Sequence, residues 1–95
     1  MSDRQNYIIV ITKQDALFPQ NWDEQNYFDY RDNFDVFFNG ELSEEELSDK
    51  FHEAIRYVID NFGDGNDFRP VLIYNAEGEF VSIEGSSNLK LLRYR

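Results

Sequence analysis

The segment from residue 43 to 62 constrains the fold more than any other part of the chain. Ser43 and Glu46 form a capping box, in which each side chain can satisfy the backbone amide of the other. The apolar residues that follow recur at helical spacing: Leu47, Phe51, Ile55, Val58, Ile59 and Phe62. Gly63 then ends the segment. The pattern predicts one long amphipathic helix whose apolar side packs on another element.

Two strands are predicted before this helix. Residues 7–12 are apolar at successive positions, which is typical of a central strand covered on both faces. A second strand is predicted from Phe34 to Phe38, ended by a turn at Asn39-Gly40. Between the two strands, we expect a loop over residues 14–21, because Pro19 interrupts regular helix there.

A short helix is predicted between that loop and the second strand. It starts at a cap on Asn21 or Asp23 and runs to about Asp32. The aromatic residues of this stretch also fit the alternation of a strand, so both interpretations stay open here.

Three further strands are predicted after the long helix, over residues 71–74, 79–84 and 89–94. Short turns at residues 75–78 and 85–88 join them into an antiparallel meander. The 95 residues fit one domain. The predicted fold is therefore an α+β single domain (1–95) with a four- to five-stranded, mainly antiparallel sheet, the helix at 43–62 on one face and a C-terminal β-meander.

The acidic balance of the chain indicates what kind of partner it can bind. The net charge is −10, and the stretch from Asp15 to Asp67 holds 15 acidic residues but three basic ones. So negative a field disfavours direct binding of nucleic acid or an anionic membrane and favours a basic protein. The alternative is that the charge serves solubility alone.

The same composition bears on the compartment and on catalysis. The chain has no cysteine, and its start lacks the features of a signal peptide, so we expect a cytoplasmic protein without disulfides. His52 is the one histidine, which is too few for a zinc site, and no nucleophile motif is present. Neither Asp60 nor Asp64 starts an EF-hand loop in register. We therefore predict no enzyme activity, no metal and no cofactor, and keep a small enzyme as a minor alternative.

The outward face of the long helix is the first candidate partner-binding site. It carries Glu45, Asp49, Glu53 and Asp60, with Arg56 interrupting the row. Residues four apart are separated by about 6 Å along a helix, which is of the same order as the phosphate spacing of a nucleic-acid strand. The alternative is an ordinary solvated helix face whose first-turn acids favour the helix dipole.

The segment from Phe18 to Phe38 is the second candidate, since it interleaves eight aromatic residues with acidic ones. Rings can anchor a partner while carboxylates steer it. The predicted contact residues of this segment are Trp22, Asp23, Glu24, Asp29, Tyr30, Asp32 and Asp35. The alternative is that most of these rings form the core.

Together these features predict a non-catalytic, acidic inhibitor. It would act as a nucleic-acid mimic and occupy the basic surface of a nuclease or another nucleic-acid-binding protein. By analogy of class, phage anti-CRISPR and anti-restriction proteins and nuclease immunity proteins share this character. A different class is the alternative: a small structural or assembly subunit that associates through its aromatic face, for example as a homodimer.

Overall fold

The computed structural model describes residues 4–13, 24–62, 69 and 71–81. Within these ranges the chain forms one compact α+β unit. Its elements in chain order are β1 (Gln5–Thr12), α1 (Tyr27–Tyr30), a 3-10 turn (Arg31–Asn33), β2 (Phe34–Leu42), α2 (Glu44–Phe62) and β3 (Val71–Asn75). None of the helices in these ranges is long and apolar enough to cross a membrane.

The three strands form one antiparallel sheet with β1 in the centre, in the order β2-β1-β3. Successive residues of β1 point to opposite faces of the sheet. Ile9 lies in a core cluster on one face, and Val10 in a second cluster on the other; both are fully buried. The prediction of a central strand covered on both faces is confirmed.

Helix α2 covers the face of the sheet that includes Ile9. Its buried residues Leu47, Phe51, Ala54 and Val58 pack in one cluster with β1, β2 and β3. A buried side chain of this size contributes about 1.5–3 kcal/mol relative to an exposed one, so the stripe holds the helix on the sheet. The predicted long helix and its packing on one face are confirmed.

The start of α2 is held by the predicted capping box. The Ser43 amide donates to Glu46 Oε1 at 3.0 Å, and the Glu46 amide donates to Ser43 Oγ at 3.2 Å. Arg4, just before β1, forms an ion pair with Glu46 and also donates to Glu41 O at 2.9 Å. One guanidinium thereby joins β1, the end of β2 and the start of α2.

Strand β2 is longer than the sequence predicts. The expected turn at Asn39-Gly40 is wrong, because Asn39 pairs with Ile8 and Gly40 with Tyr7 in the antiparallel register. The pairing with β1 outweighs the turn preference of this dipeptide. The register also shifts between Ile9 and Val10, which places an extra residue in β2 as a β-bulge.

The short helix α1 begins later than predicted. Asn26 caps it, with its side-chain oxygen accepting from the Phe28 amide at 2.9 Å. The predicted caps, Asn21 and Asp23, lie outside the described residues. Tyr27 and Tyr30 pack against the second core cluster, so α1 lies on the side of the sheet opposite α2.

The predicted meander is only partly present in the described ranges. The strand at 71–75 and its turn are confirmed, since the Gly78 amide donates to Asn75 O at 2.9 Å. Beyond the turn, Phe80 forms a bridge to Tyr74, and the Val81 amide donates to Ile73 O at 2.9 Å. The described part of the sheet has three strands. The predicted four or five are not confirmed, because residues 82–95, with part of the predicted return strand and the whole of the last one, lie outside the described residues.

Candidate functional site

The four acidic residues predicted on α2 all lie on its outward face and are exposed: Glu45, Asp49, Glu53 and Asp60. At about 100° per residue they fall within an arc of about 80°, on the side opposite the buried stripe. Along the axis, neighbouring members of the first three are about 6 Å apart and the fourth follows after about 10 Å. The four carboxylates thus share one face of the helix, with the widest gap between Glu53 and Asp60.

Two described cations modify this row. Lys50 Nζ lies 3.2 Å from Glu53 Oε1, and Arg56 is exposed within the same arc. An exposed ion pair of this type is worth about 0.2–1 kcal/mol, so a partner's cation can displace Lys50. Glu45 and Asp49 make no ion pair with any residue in the described ranges.

Glu46 is set apart from the row by its contacts. The backbone hydrogen bond from Ser43 and the charge of Arg4 hold the pKa of Glu46 below its ordinary value of 4.5. Because its carboxylate is engaged on both sides, Glu46 has a structural role at the helix start. It is not part of the surface offered to a partner.

His52 lies at the border of the acidic arc and is exposed. Its Nδ1 is 2.8 Å from the carbonyl oxygen of Ser48, one turn earlier. A carbonyl oxygen only accepts, so Nδ1 donates and carries a proton. This contact is local to the helix and brings no second catalytic group to the ring.

The flank of α2 beside β2 carries an aromatic contact that the sequence reasoning did not single out. Tyr57 is 45% exposed, and its ring centroid is 5.6 Å from that of Phe37. Lys50 Nζ lies 5.2 Å from the ring centroid of Phe38. The sequence signal for Tyr57 was its position four residues after Glu53, which makes the two side chains neighbours on the helix surface. The contact with Phe37 depends on the tertiary structure.

The acidic residues of the second candidate do not join this surface as one patch. Asp29 and Asp32 are exposed on α1 and the following 3-10 turn, across the sheet from α2. Asp35 in β2 pairs with Ile11 in β1, which belongs to the core cluster under α2. Paired residues point to the same face of a sheet, so Asp35 points to the face that α2 covers. Trp22 and Asp23 lie outside the described residues.

Most of the described rings of this segment are used by the fold. Phe34 is buried, and Tyr27 and Tyr30 pack beside it, with Tyr27 stacked on Phe34 at 6.0 Å between centroids. Phe28 is the exception, with 47% of its surface exposed. Tyr30 is half-buried against the second core cluster, whereas the sequence predicted it as an exposed anchor.

One shallow, open cavity of about 320 Å³ lies where α1 meets the β3 turn. Glu24, Gln25, Asn26, Glu79 and Phe80 line it. Its two carboxylates disfavour an anionic ligand. In the described ranges, no group of three or more histidine or acidic side chains is arranged to hold a metal ion.

Comparisons with known proteins give no relative. The chain matches no protein-family model, no curated protein and no solved structure. Among the described surfaces of the chain, the acidic face of α2 is the most regular.

Proposed function

We propose that this chain is a non-catalytic inhibitor that binds the basic, nucleic-acid-binding surface of a partner protein. The observation that carries the proposal is the row on α2: Glu45, Asp49 and Glu53 are exposed at successive helical turns. At physiological salt the Debye length is about 8 Å. Carboxylates about 6 Å apart therefore act on a partner together, as consecutive phosphates do.

The rigidity of the helix supports this function. α2 is held by its buried stripe and by the capping box, so the carboxylates are presented without ordering a flexible segment on binding. Binding to a preordered charge row costs less conformational entropy than binding to a disordered acidic tail. The proposed partner is a nuclease or another nucleic-acid-binding protein of the cytoplasm, and phage anti-defence or nuclease immunity are settings in which such an inhibitor acts.

The test captures partners from a bacterial lysate on the immobilised protein and elutes them in salt steps, with and without duplex DNA as competitor. We expect a basic nucleic-acid-binding protein that elutes early in salt and is displaced by DNA. Retention that ignores both salt and DNA would contradict the proposal.

A matched pair of variants locates the surface. Asp49→Lys with Glu53→Lys reverses two charges on α2, and Asp29→Lys with Asp32→Lys makes the same net change across the sheet. We expect the α2 variant to lose the captured partner and the α1 variant to retain it. Equal loss in both would show that only net charge matters, and equal retention would exclude the α2 row.

A further inference from the structure

Among the residues that the structure describes, the outer edge of β2 has backbone groups that no other strand uses. β2 ends the strand order, and no residue in the described ranges pairs with its outer side. The opposite edge of the sheet differs, because the Val81 amide donates to Ile73 O at 2.9 Å and Phe80 bridges to Tyr74. An open strand edge is a template to which a further strand can add.

The hydrogen bonds of β3 determine which groups of β2 point outward. Ile73 O accepts from the Val81 amide, so the peptide groups of Ile73 point away from β1. Its partner Ile9 therefore directs its own peptide groups to the other side, toward β2. There Ile9 pairs with Phe38, whose peptide groups point inward to β1. Peptide groups alternate in direction along a strand. Asn39 follows the inward-facing Phe38, so its peptide groups face outward. On the other side of Phe38 the bulge adds Phe37, and the next residue that pairs with β1 is Val36, whose partner is Val10; the peptide groups of Val36 therefore also face outward.

Two further contacts agree with this assignment. The Lys13 amide donates to Asn33 O at 3.0 Å, so odd-numbered residues of β1 and its extension face β2. The Glu41 carbonyl, which has the same direction as the groups of Asn39, accepts from the Arg4 side chain at 2.9 Å. Arg4 thereby closes one end of the edge, and the open part is the stretch around Val36 and Asn39.

The surroundings of this edge select its partner. Val36 is 48% exposed, which offers an apolar contact beside the open peptide groups. β2 contains two carboxylates, Asp35 and Glu41, and no basic residue. A second copy of the chain would bring the same carboxylates and a net charge of −10 to the same edge. Charge complementarity favours a basic segment instead.

We propose that the outer edge of β2, centred on Val36 and Asn39, binds an extended basic segment of a partner protein as an added strand. Backbone hydrogen bonds to the two residues hold the segment, Val36 contacts one of its side chains, and Asp35 and Glu41 attract its cations. The proposal goes beyond the acidic inhibitor function, because it names a second surface and a different mode of binding. It depends on that function only in the basic character of the partner.

The first experiment measures amide hydrogen exchange of the free protein by NMR. The outward amides of Val36 and Asn39 are expected to exchange faster than the inward amides of Phe38 and Gly40. Equal protection of all four would overturn the proposal, since another part of the chain or a second copy would then occupy the edge. Sedimentation at several concentrations distinguishes these two occupants.

The second experiment uses a short peptide of arginine and valine as the probe, with arginine on both faces of the strand, because Asp35 and Glu41 point to opposite faces of the sheet. A matched peptide with N-methyl groups on alternate residues keeps the charge but loses the donors that face β2. We expect the N-methylated peptide to bind at least about tenfold more weakly, because about two hydrogen bonds are lost. Equal affinity of the two peptides would show charge attraction without strand addition and would overturn the proposal.

A pair of variants tests the same point from the side of the protein. Asn39→Pro removes one outward amide, which an edge strand tolerates, and Asn39→Ala keeps that amide. Asn39→Pro is expected to bind the probe peptide at least fivefold more weakly than Asn39→Ala, and equal binding would overturn the proposal. If Asn39→Pro does not fold, the N-methylated peptide alone decides. The capture experiment with the α2 charge-reversal variant uses a different surface, so the two proposals can fail separately.

Discussion

Replacing Gly78 with alanine is expected to destabilise the contact between the β3 turn and α1. Gly78 has a φ of +81°, a conformation that costs an L-residue about 1–2 kcal/mol. A Cβ there would lie 2.5 Å from Asn26 Oδ1 and 2.7 Å from Phe28 Cδ2. The Tyr27 amide also donates to Gly78 O at 2.8 Å, so the turn and the helix start are directly bonded.

The expected loss for Gly78→Ala is about 2–3 kcal/mol, the strain plus about 1 kcal/mol for the displaced Asn26 cap. For a domain of this size, that lowers the melting temperature by roughly 8–24 °C. The measurement is urea unfolding followed by circular dichroism, with NMR of the Phe28 ring as a local probe. A free energy of unfolding within about 0.5 kcal/mol of the wild type would refute the reasoning.

Two control variants separate the contributions. Gly78→Asn also adds a Cβ, but asparagine tolerates a positive φ better than alanine. It should therefore avoid most of the backbone strain and keep the collision with Asn26, so that the free energy of unfolding falls by about 1 kcal/mol. Full recovery would show that the collision is accommodated without cost. Gly40→Ala places its Cβ 3.0 Å from the end of the Phe38 ring, which can move, and should change stability by less than about 1 kcal/mol.

Two further predictions concern the packing and the start of α2. Phe51 is 1% exposed in the core, so Phe51→Ala should cost about 3–5 kcal/mol, a large part of the total of about 5–15 kcal/mol. Urea unfolding measures this loss, and a cost below about 1 kcal/mol would contradict the packing. Glu46 has a lowered pKa in the folded chain, so its stabilising contribution is present above its ordinary pKa of 4.5 and is lost as pH falls through the lowered value. Glu46→Gln should therefore be less stable than the wild type at pH 7, with the difference shrinking in acid; a difference that is independent of pH would contradict the ion pair with Arg4.

The candidate site was predicted in part. The acidic row on α2 followed from helical periodicity alone, because residues four apart share a face. The second group was divided by the sheet, which places Asp29 and Asp35 on opposite sides. No local pattern contains that division, because it depends on how β2 leaves the 3-10 turn and pairs with β1.

The sequence by itself determined the elements whose signals are local. Capping between Ser43 and Glu46 and the apolar period of α2 involve residues within a few turns, and the uninterrupted apolar run predicted the central β1. The tertiary structure alone decided where β2 ends, which strand is at the edge and which groups face outward there. These features depend on pairing between residues such as Ile8 and Asn39, which are far apart in the chain. Non-local pairing overrides the local preference of Asn39-Gly40 for a turn, because ladder hydrogen bonds and burial on the sheet outweigh the propensity of a dipeptide.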